Sequence, residues 1–439
     1  MKVLIVTVGG SDVPVVKAIR DTKPGKVIFI CSEDSAKVIE NEHKAVDKDL
    51  PPIIEQAEIK NNNISYEIFI VPADNIFVCM ETASKIIETN INEGNQVFVD
   101  YTGGTKSMSA GLVAAALEFP DCTLRIVAGV RENLIKVKDG TERSKIYGQE
   151  SNIAYFKRQI KILVELIEKH DYQGGEEVLN QLLATIPLND PELEQNVTKL
   201  LTIIRALMLW DKFLYEDARR ILASYKEDVF VANLYNNLSM VAAQLKNIED
   251  LKRYLEQGVD QPKPIPQMYY PVYDLLRNAE RKAIRRDYDD AIARIYRALE
   301  MYSQITLLSL KPPISPDNVH LELIPEELKN YYSGKLDKDG KIKVALKEGY
   351  NLLAKLKHPI GKVWEAYENK LLNVLTKRNY SFLAHGIQPL SENDYNAVKE
   401  IVWNFIDECD KAGKAKSKFN NFEQFPGIDE IKGYFKNIF

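Results

Sequence analysis

The chain has 439 residues, 45% of them apolar and 28% charged, with a formal net charge of −5. That length predicts two or three domains with separate cores. The negative balance excludes a generally basic nucleic-acid coat, so any contact with nucleic acid must be local. Cys31, Cys79, Cys122 and Cys409 are scattered without a C-x-x-C pair, which fits a reducing compartment and excludes a disulfide framework or a cysteine zinc site. The Val3–Val8 run is too short for a signal peptide or a membrane span, and no later run qualifies. A cytoplasmic location with no membrane partner is expected.

Residues 1–150 alternate strand and helix. Val3–Val8, Lys26–Cys31, Ser65–Val71, Gln96–Asp100 and Thr123–Ala128 read as strands. Val13–Arg20, Ser35–Lys44, Asn75–Asn92 and Lys106–Phe119 read as the helices between them. Apolar runs joined by helices predict a Rossmann-like parallel sheet covered on both faces, an α/β domain. Leu134–Lys138 and Lys145–Tyr147 fit a hairpin closing around Asp139-Gly140.

Ligands of such sheets bind at the carboxyl ends of the strands. Two loops there are candidates: Gly9-Gly10-Ser11-Asp12 after the first strand, and Asp100-Tyr101-Thr102-Gly103-Gly104-Thr105-Lys106-Ser107 after the fourth. Glycines let backbone amides approach a ligand, hydroxyls donate, and a helix starting near Lys106 offers its positive end to phosphate. Neither a Walker P-loop nor a dinucleotide G-x-G-x-x-G is satisfied. Two tight strand-to-helix turns would have the same spacing.

Residues 151–266 are largely helical and read as a spacer ending in Gln261-Pro262-Lys263-Pro264-Ile265-Pro266, whose prolines cannot continue a helix. Helices are expected at Tyr155–Lys169, Gly175–Leu183, Glu192–Trp210, Tyr215–Tyr225 and Asn233–Gln244. Residues 267–439 form a helical bundle: Tyr273–Arg286, Asp287–Leu308, Lys341–Leu356, a helix from Lys362, and Asp394–Cys409. Asp337-Lys338-Asp339-Gly340 lacks the remaining calcium ligands and reads as an exposed turn. Lys411, Lys414, Lys416 and Lys418 form a basic run, either a solvated face or a track for RNA.

Near the C-terminus stands Lys377-Arg378-Asn379-Tyr380-Ser381-Phe382-Leu383-Ala384-His385-Gly386. If the helix from Lys362 ran on to a Gly386 cap, Arg378 and His385 would share a face two turns apart. An imidazole can move protons near neutral pH, and a guanidinium can stabilise charge building on a phosphate. RNA supplies its own nucleophile, the 2'-hydroxyl, so the pair would need no metal. The alternative is a helix-capping His and a solvated Arg. The other histidines (His43, His170, His320, His358) are isolated, without H-E-x-x-H, and no G-x-S-x-G occurs. No metal and no cofactor are expected.

Arg378-Asn379 followed by Leu383-Ala384-His385-Gly386 resembles the R-x(4–6)-H motif of HEPN ribonucleases. Thr7-Val8-Gly9-Gly10-Ser11 with Asp100–Ser109 is similar to CARF domains, and the combination looks closest to the CARF–HEPN effectors of type III CRISPR systems. The resemblance implies a CARF sensing domain at 1–150, the helical spacer at 151–266 and an α-helical HEPN ribonuclease domain at 267–439. It implies a homodimer whose N-terminal cleft binds cyclic tetra- or hexa-adenylate and whose C-terminal domain cuts single-stranded RNA. Carried over, the activator-binding residues are Gly9, Gly10, Ser11, Thr102, Gly103, Gly104, Thr105, Lys106 and Ser107, with Ser32 and Arg131 at the rim. The catalytic residues are Arg378, His385 and Asn379, and the products a 2',3'-cyclic phosphate and a 5'-hydroxyl. Arg294, Arg297 and Glu300 resemble polar positions of the same domain. A CARF sensor or transcription regulator without nuclease activity, or a CARF pocket that cleaves its own ring through Thr102 or Lys106, are the alternatives.

Overall fold

The computed structural model describes residues 1–45, 48–129, 131–132, 136–137, 141, 143–147, 152–185, 190–257, 269–379, 381 and 386–439. The chain divides into two units, Met1–Ile162 with Val178–Glu194, and Leu163–Glu177 with Gln195–Phe439. It begins β1 (Lys2–Thr7), α1 (Asp12–Thr22), β2 (Lys26–Cys31), α2 (Glu33–Glu40), β3 (His43–Ala45), β4 (Lys48–Leu50), α3 (Ile53–Gln56), β5 (Ser65–Ile70) and α4 (Ile76–Asn92). It continues β6 (Gln96–Asp100), α5 (Lys106–Ala116), β7 (Cys122–Ala128), β8 (Arg131–Glu132), β9 (Lys136–Val137) and β10 (Arg143–Tyr147).

Six of these strands form one sheet in the order β10-β7-β6-β1-β2-β5, parallel except for β10, which runs against β7. The expected parallel α/β domain is present, with its central strands β1 and β2 buried on both faces. Val3, Ile5, Val97 and Val99 face one apolar layer, and Leu4, Val6, Val27 and Phe29 the other. Side chains alternate across a pleated strand, so a continuous apolar run is what a doubly covered sheet requires. Chain connections proceed from β1 outward to β2 and β5, then return to β6 on the other side of β1 and go on to β7. The order therefore reverses between β1 and β6, where ligand crevices form in open α/β sheets.

Two local expectations fail in this unit. The helix expected at Ser35–Lys44 starts earlier and stops at Glu40, because Ser32 and Ser35 form a reciprocal capping box and the chain turns extended at Asn41 to enter β3. Among the described residues the hairpin expected between Leu134–Lys138 and Lys145–Tyr147 is not seen: β9 pairs with β8 and β10 with β7. Edge strand β10 satisfies a main chain that β7 would otherwise expose. Asp139-Gly140 lies outside the described residues.

The helices that follow are α6 (Asn152–Glu168), α7 (Tyr172–Thr185), α8 (Pro191–Asp211), α9 (Tyr215–Leu222), α10 (Val229–Gln257), α11 (Tyr270–Ile284) and α12 (Tyr288–Leu308). Then come α13 (Glu326–Ser333), α14 (Leu346–Lys355), α15 (Pro359–Asn379), α16 (Glu392–Ala412) and α17 (Ile428–Tyr434). Apolar spacing at three and four marked most of them; α13 and α17 are additional. The proline-rich 261–266 lies outside the described residues. In the bundle, Ala291, Ile295, Leu299 and Tyr302 of α12 are wholly buried in one core with Tyr350, Trp364 and Phe405. At the Asp337 turn, Oδ1 of the carboxylate accepts the amides of Asp339 and Lys341 at 3.0 and 2.9 Å, as an exposed turn does.

Candidate functional site

In the first unit, the loops after β1 and β6 meet at the point where the strand order reverses. A β-carbon on Gly103 would lie 2.3 Å from the carbonyl oxygen of Thr7. Gly104 holds φ at +83°, a conformation that favours glycine. Thr7 Oγ1 and Ser109 Oγ both donate to the Gly103 carbonyl, at 2.6 and 2.7 Å. The glycine pair therefore serves backbone-to-backbone packing, and the crevice floor is fixed from both strands.

The hydroxyls divide by role. Thr102 Oγ1 donates to Asp100 Oδ1 at 2.5 Å and accepts the Val127 amide at 2.7 Å. Asp100 is buried; its other oxygen takes Nε of Arg125 at 3.0 Å. Burial pushes the Asp100 carboxyl up from its ordinary value, against the pull of Thr102 and Arg125. Thr105 is the N-cap of α5, accepting the Met108 amide at 3.2 Å and donating to the Ala73 carbonyl. Ser32 spends its hydroxyl capping α2. Ser11 caps α1 with backbone alone and leaves its hydroxyl exposed. Lys106 is exposed at the first position of α5, with no ion pair among the described residues.

The two loops that carry the nine candidate residues thus meet, Gly9 against Gly104 and Gly103 against Thr7. This geometry leaves Gly10, Ser11, Lys106 and the start of α5 facing outward, a positive, donor-rich surface suited to phosphate. For Arg131 only its place in β8 is described. Asp12, the last residue of the first candidate loop, is buried; it accepts from Nε2 of Gln56 at 2.6 Å and lies 2.9 Å from Nε2 of His43. Its partners stand 31 and 44 residues along the chain, a pairing that only the fold reveals.

In the second unit, Arg378 and Asn379 are the last residues of α15. The helix is anchored below them by Trp364, which stacks on Tyr350 at 4.8 Å between ring centroids and donates Nε1 to Asn351 at 2.9 Å. Leu371 and Leu375 are buried. The expected continuation to a Gly386 cap does not occur. Ser381 is in a parallel bridge with Gln388, and the Gly386 amide donates to the Ser381 carbonyl at 3.1 Å. Asn379 and Ser381 are poor helix-interior residues whose side chains compete for backbone groups. The described part of α15 ends at Asn379, and His385 lies outside the described residues.

The other polar candidates of this unit are engaged. Arg294 bonds Asn278 and Asp290. Arg297 donates to Glu300 at 2.9 Å and to Gln304 at 3.0 Å. Lys411 is paired with Asp407 at 2.6 Å and Glu408 at 3.0 Å. Among the described residues no cluster of His, Cys, Asp and Glu could hold a metal ion, and no helix is long and apolar enough to cross a membrane.

Residues 264–408 match the family model of the Csm6 HEPN domain. The structure of Enterococcus italicus Csm6 bound to cyclic hexa-2'-fluoro-hexa-dAMP matches all of this chain with all of its own, at a TM-score of 0.50 and 13% identity. Can2 from Sulfobacillus thermosulfidooxidans in complex with cyclic tetra-adenylate aligns with 51% of this chain and 68% of its own, at a TM-score of 0.24 and 13% identity, too distant to add to the argument. No curated protein sequence matches the chain. Residues 264–408 thus fit a Csm6 HEPN domain, and the chain as a whole shares the fold of the Enterococcus italicus protein.

Proposed function

We propose that the protein is a homodimeric, metal-independent endoribonuclease of the cytoplasm, switched on by a cyclic oligoadenylate in type III CRISPR defence. The observation that carries this reading is the Csm6 HEPN match, which spans the Arg378-x6-His385 motif. The Enterococcus italicus protein of the same fold is bound to a cyclic hexa-adenylate analogue, and the outward-facing Gly10, Ser11 and Lys106 offer phosphate-binding chemistry in the corresponding unit. We divide the chain into the CARF domain at 1–150, a helical spacer at 151–266 and the HEPN domain at 267–439.

In this reading the ring docks over Gly9–Ser11 and Thr102–Ser107 of two copies. Arg378, Asn379 and His385 of both copies line one groove that takes single-stranded RNA. The 2'-oxygen attacks the adjacent phosphorus, the P–O5' bond breaks, and a 2',3'-cyclic phosphate and a 5'-hydroxyl result. One imidazole accepts the 2'-proton while the partner copy's imidazole donates to the leaving oxygen, and the guanidinium stabilises the pentacoordinate phosphate.

The test is purified protein with fluorescent RNA in EDTA, with and without cyclic tetra- or hexa-adenylate. Cleavage only with a ring, abolished by His385→Ala while ring binding persists, is the expected result. Cleavage lost in EDTA, or retained by the variant, refutes the mechanism.

A further inference from the structure

We propose that a polar cavity between α10 and the 416–423 loop holds one nucleotide of the RNA strand. The proposal rests on the nuclease reading above for its biological meaning, though not for its test. The cavity measures about 520 Å³, within the range of small-ligand sites.

Three amides and Met240 form its α10 wall. Asn233, Asn236 and Asn237 recur at three and four along the helix, so they share one face. Lys416 and Lys418 of the loop, and the aromatic residue Tyr270, line the same cavity. Neither the amides nor the lysines have a hydrogen-bond or ion-pair partner among the described residues, whereas Lys411 of the same basic run is doubly paired. Asn233, Asn236, Lys416 and Lys418 are exposed. Glu423 is the one acid on the lining, so the lysines keep a net positive charge there.

The loop that carries the lysines is held from below. Asp410, buried, accepts the hydroxyls of Tyr273 at 2.7 Å and Tyr302 at 2.9 Å and the Phe419 amide at 2.9 Å. The Ser417 carbonyl accepts the Tyr273 hydroxyl at 3.0 Å, and the Ser417 side chain takes the Tyr269 amide at 3.2 Å. With Ser417 buried, the two flanking lysines are presented on a rigid support. Side-chain amides can donate and accept at once, as base edges require. An aromatic face gives a base something to stack on, and ammonium groups meet phosphate. A peptide would match the amides but would leave the lysine pair and the ring without a common partner.

The experiment compares full-length variants for binding to a fluorescein-labelled single-stranded RNA of about 20 nucleotides, without activator, across a salt series. Lys416→Ala/Lys418→Ala should weaken binding about tenfold at low salt and reduce the salt slope by about 1.4, two single-strand phosphate contacts. Asn233→Ala/Asn236→Ala should weaken binding severalfold with the slope unchanged. Lys411→Ala should change neither. In the ring-activated cleavage assay the lysine variant should raise KM and leave kcat alone. Unaltered affinity and slope in the lysine variant, an equal loss in Lys411→Ala, or no RNA binding by the unaltered chain overturns the proposal. A chain that binds RNA but cuts none with either ring refutes the nuclease reading instead, and the binding comparison still decides the cavity.

Discussion

A β-carbon added to Gly9 would lie 2.6 Å from the backbone nitrogen of Gly104, so the loops after β1 and β6 touch main chain to main chain. Gly9→Ala must therefore push the two loops apart. We expect it to lower the melting temperature and to abolish binding of cyclic oligoadenylate. Gly10 is the control: a β-carbon there meets nothing within 4 Å, and its φ is not in the left-handed region. Gly10→Ala should keep stability within about 0.5 kcal/mol. Thermal melts with calorimetric titration of each ring separate the two, and an unchanged melt for Gly9→Ala would refute the close packing.

The crevice side chains should split by the same logic. Thr105→Ala removes the N-cap of α5 and should cost about 1 kcal/mol of stability. Thr102→Val leaves the Val127 amide and an oxygen of buried Asp100 short of a partner, for a similar or larger loss. Lys106→Ala removes no hydrogen bond or ion pair among the described residues and should leave the melt unchanged while weakening ring binding. Titration of activator against cleavage rate reads the last effect. A Lys106→Ala protein with the original activation midpoint would remove that residue from the site.

How far this was legible follows from what each feature depends on. Lys26–Cys31 and Gln96–Asp100 match their strands to the residue because a doubly covered parallel strand must be apolar throughout. The crevice loops were visible because glycine and hydroxyl residues cluster where strand becomes helix. The end of α15 was not: apolar spacing continues past Asn379, and the bridge from Ser381 to Gln388 leaves no periodic trace. Nor could spacing separate Thr102, turned inward to Asp100, from Lys106, turned outward. The pairing of Lys411 with Asp407, by contrast, is a four-residue spacing readable in the sequence.

Asp211, at the end of α8, tests the second unit. Its Oδ1 takes Nε of wholly buried Arg281 at 2.8 Å, and its Oδ2 takes Arg285 at 2.6 Å. Burial alone would raise this carboxyl; Arg281 and Arg285 together outweigh it, and the carboxyl sits below its ordinary value. Asp211→Ala would leave buried Arg281 and half-buried Arg285 without this counter-charge, a loss of about 3–5 kcal/mol. Asp211→Asn, which still accepts from Arg281, should lose less. Urea unfolding of the pair decides it; equal losses would show that shape, not charge, matters there.

His170 gives the pH dependence. It is buried, its Nδ1 lies 2.8 Å from the Tyr172 hydroxyl, and its φ is +54°. Burial first, then the Arg281 and Arg285 charges, lower it to about 4, with Asp211 opposing. An unfolded His titrates near 6.5, so the stability from keeping this ring neutral is complete above about 6.5 and is lost as pH falls towards 4, up to about 3 kcal/mol. Asp274 runs the other way. Burial raises it to about 6 against the pull of Arg281, Tyr215 and Trp210, so its contribution is full below about 3.9 and is lost as pH rises through 6. The two offset between pH 4 and 6 in the unaltered protein, and a single stability curve would hide both. His170→Asn suits the left-handed backbone and removes only the imidazole. Its stability relative to the unaltered chain should therefore improve steadily as pH falls from 6.5 to 4, measured as the difference in urea midpoints. A difference that stays constant across that range would mean His170 is not held neutral in the folded protein.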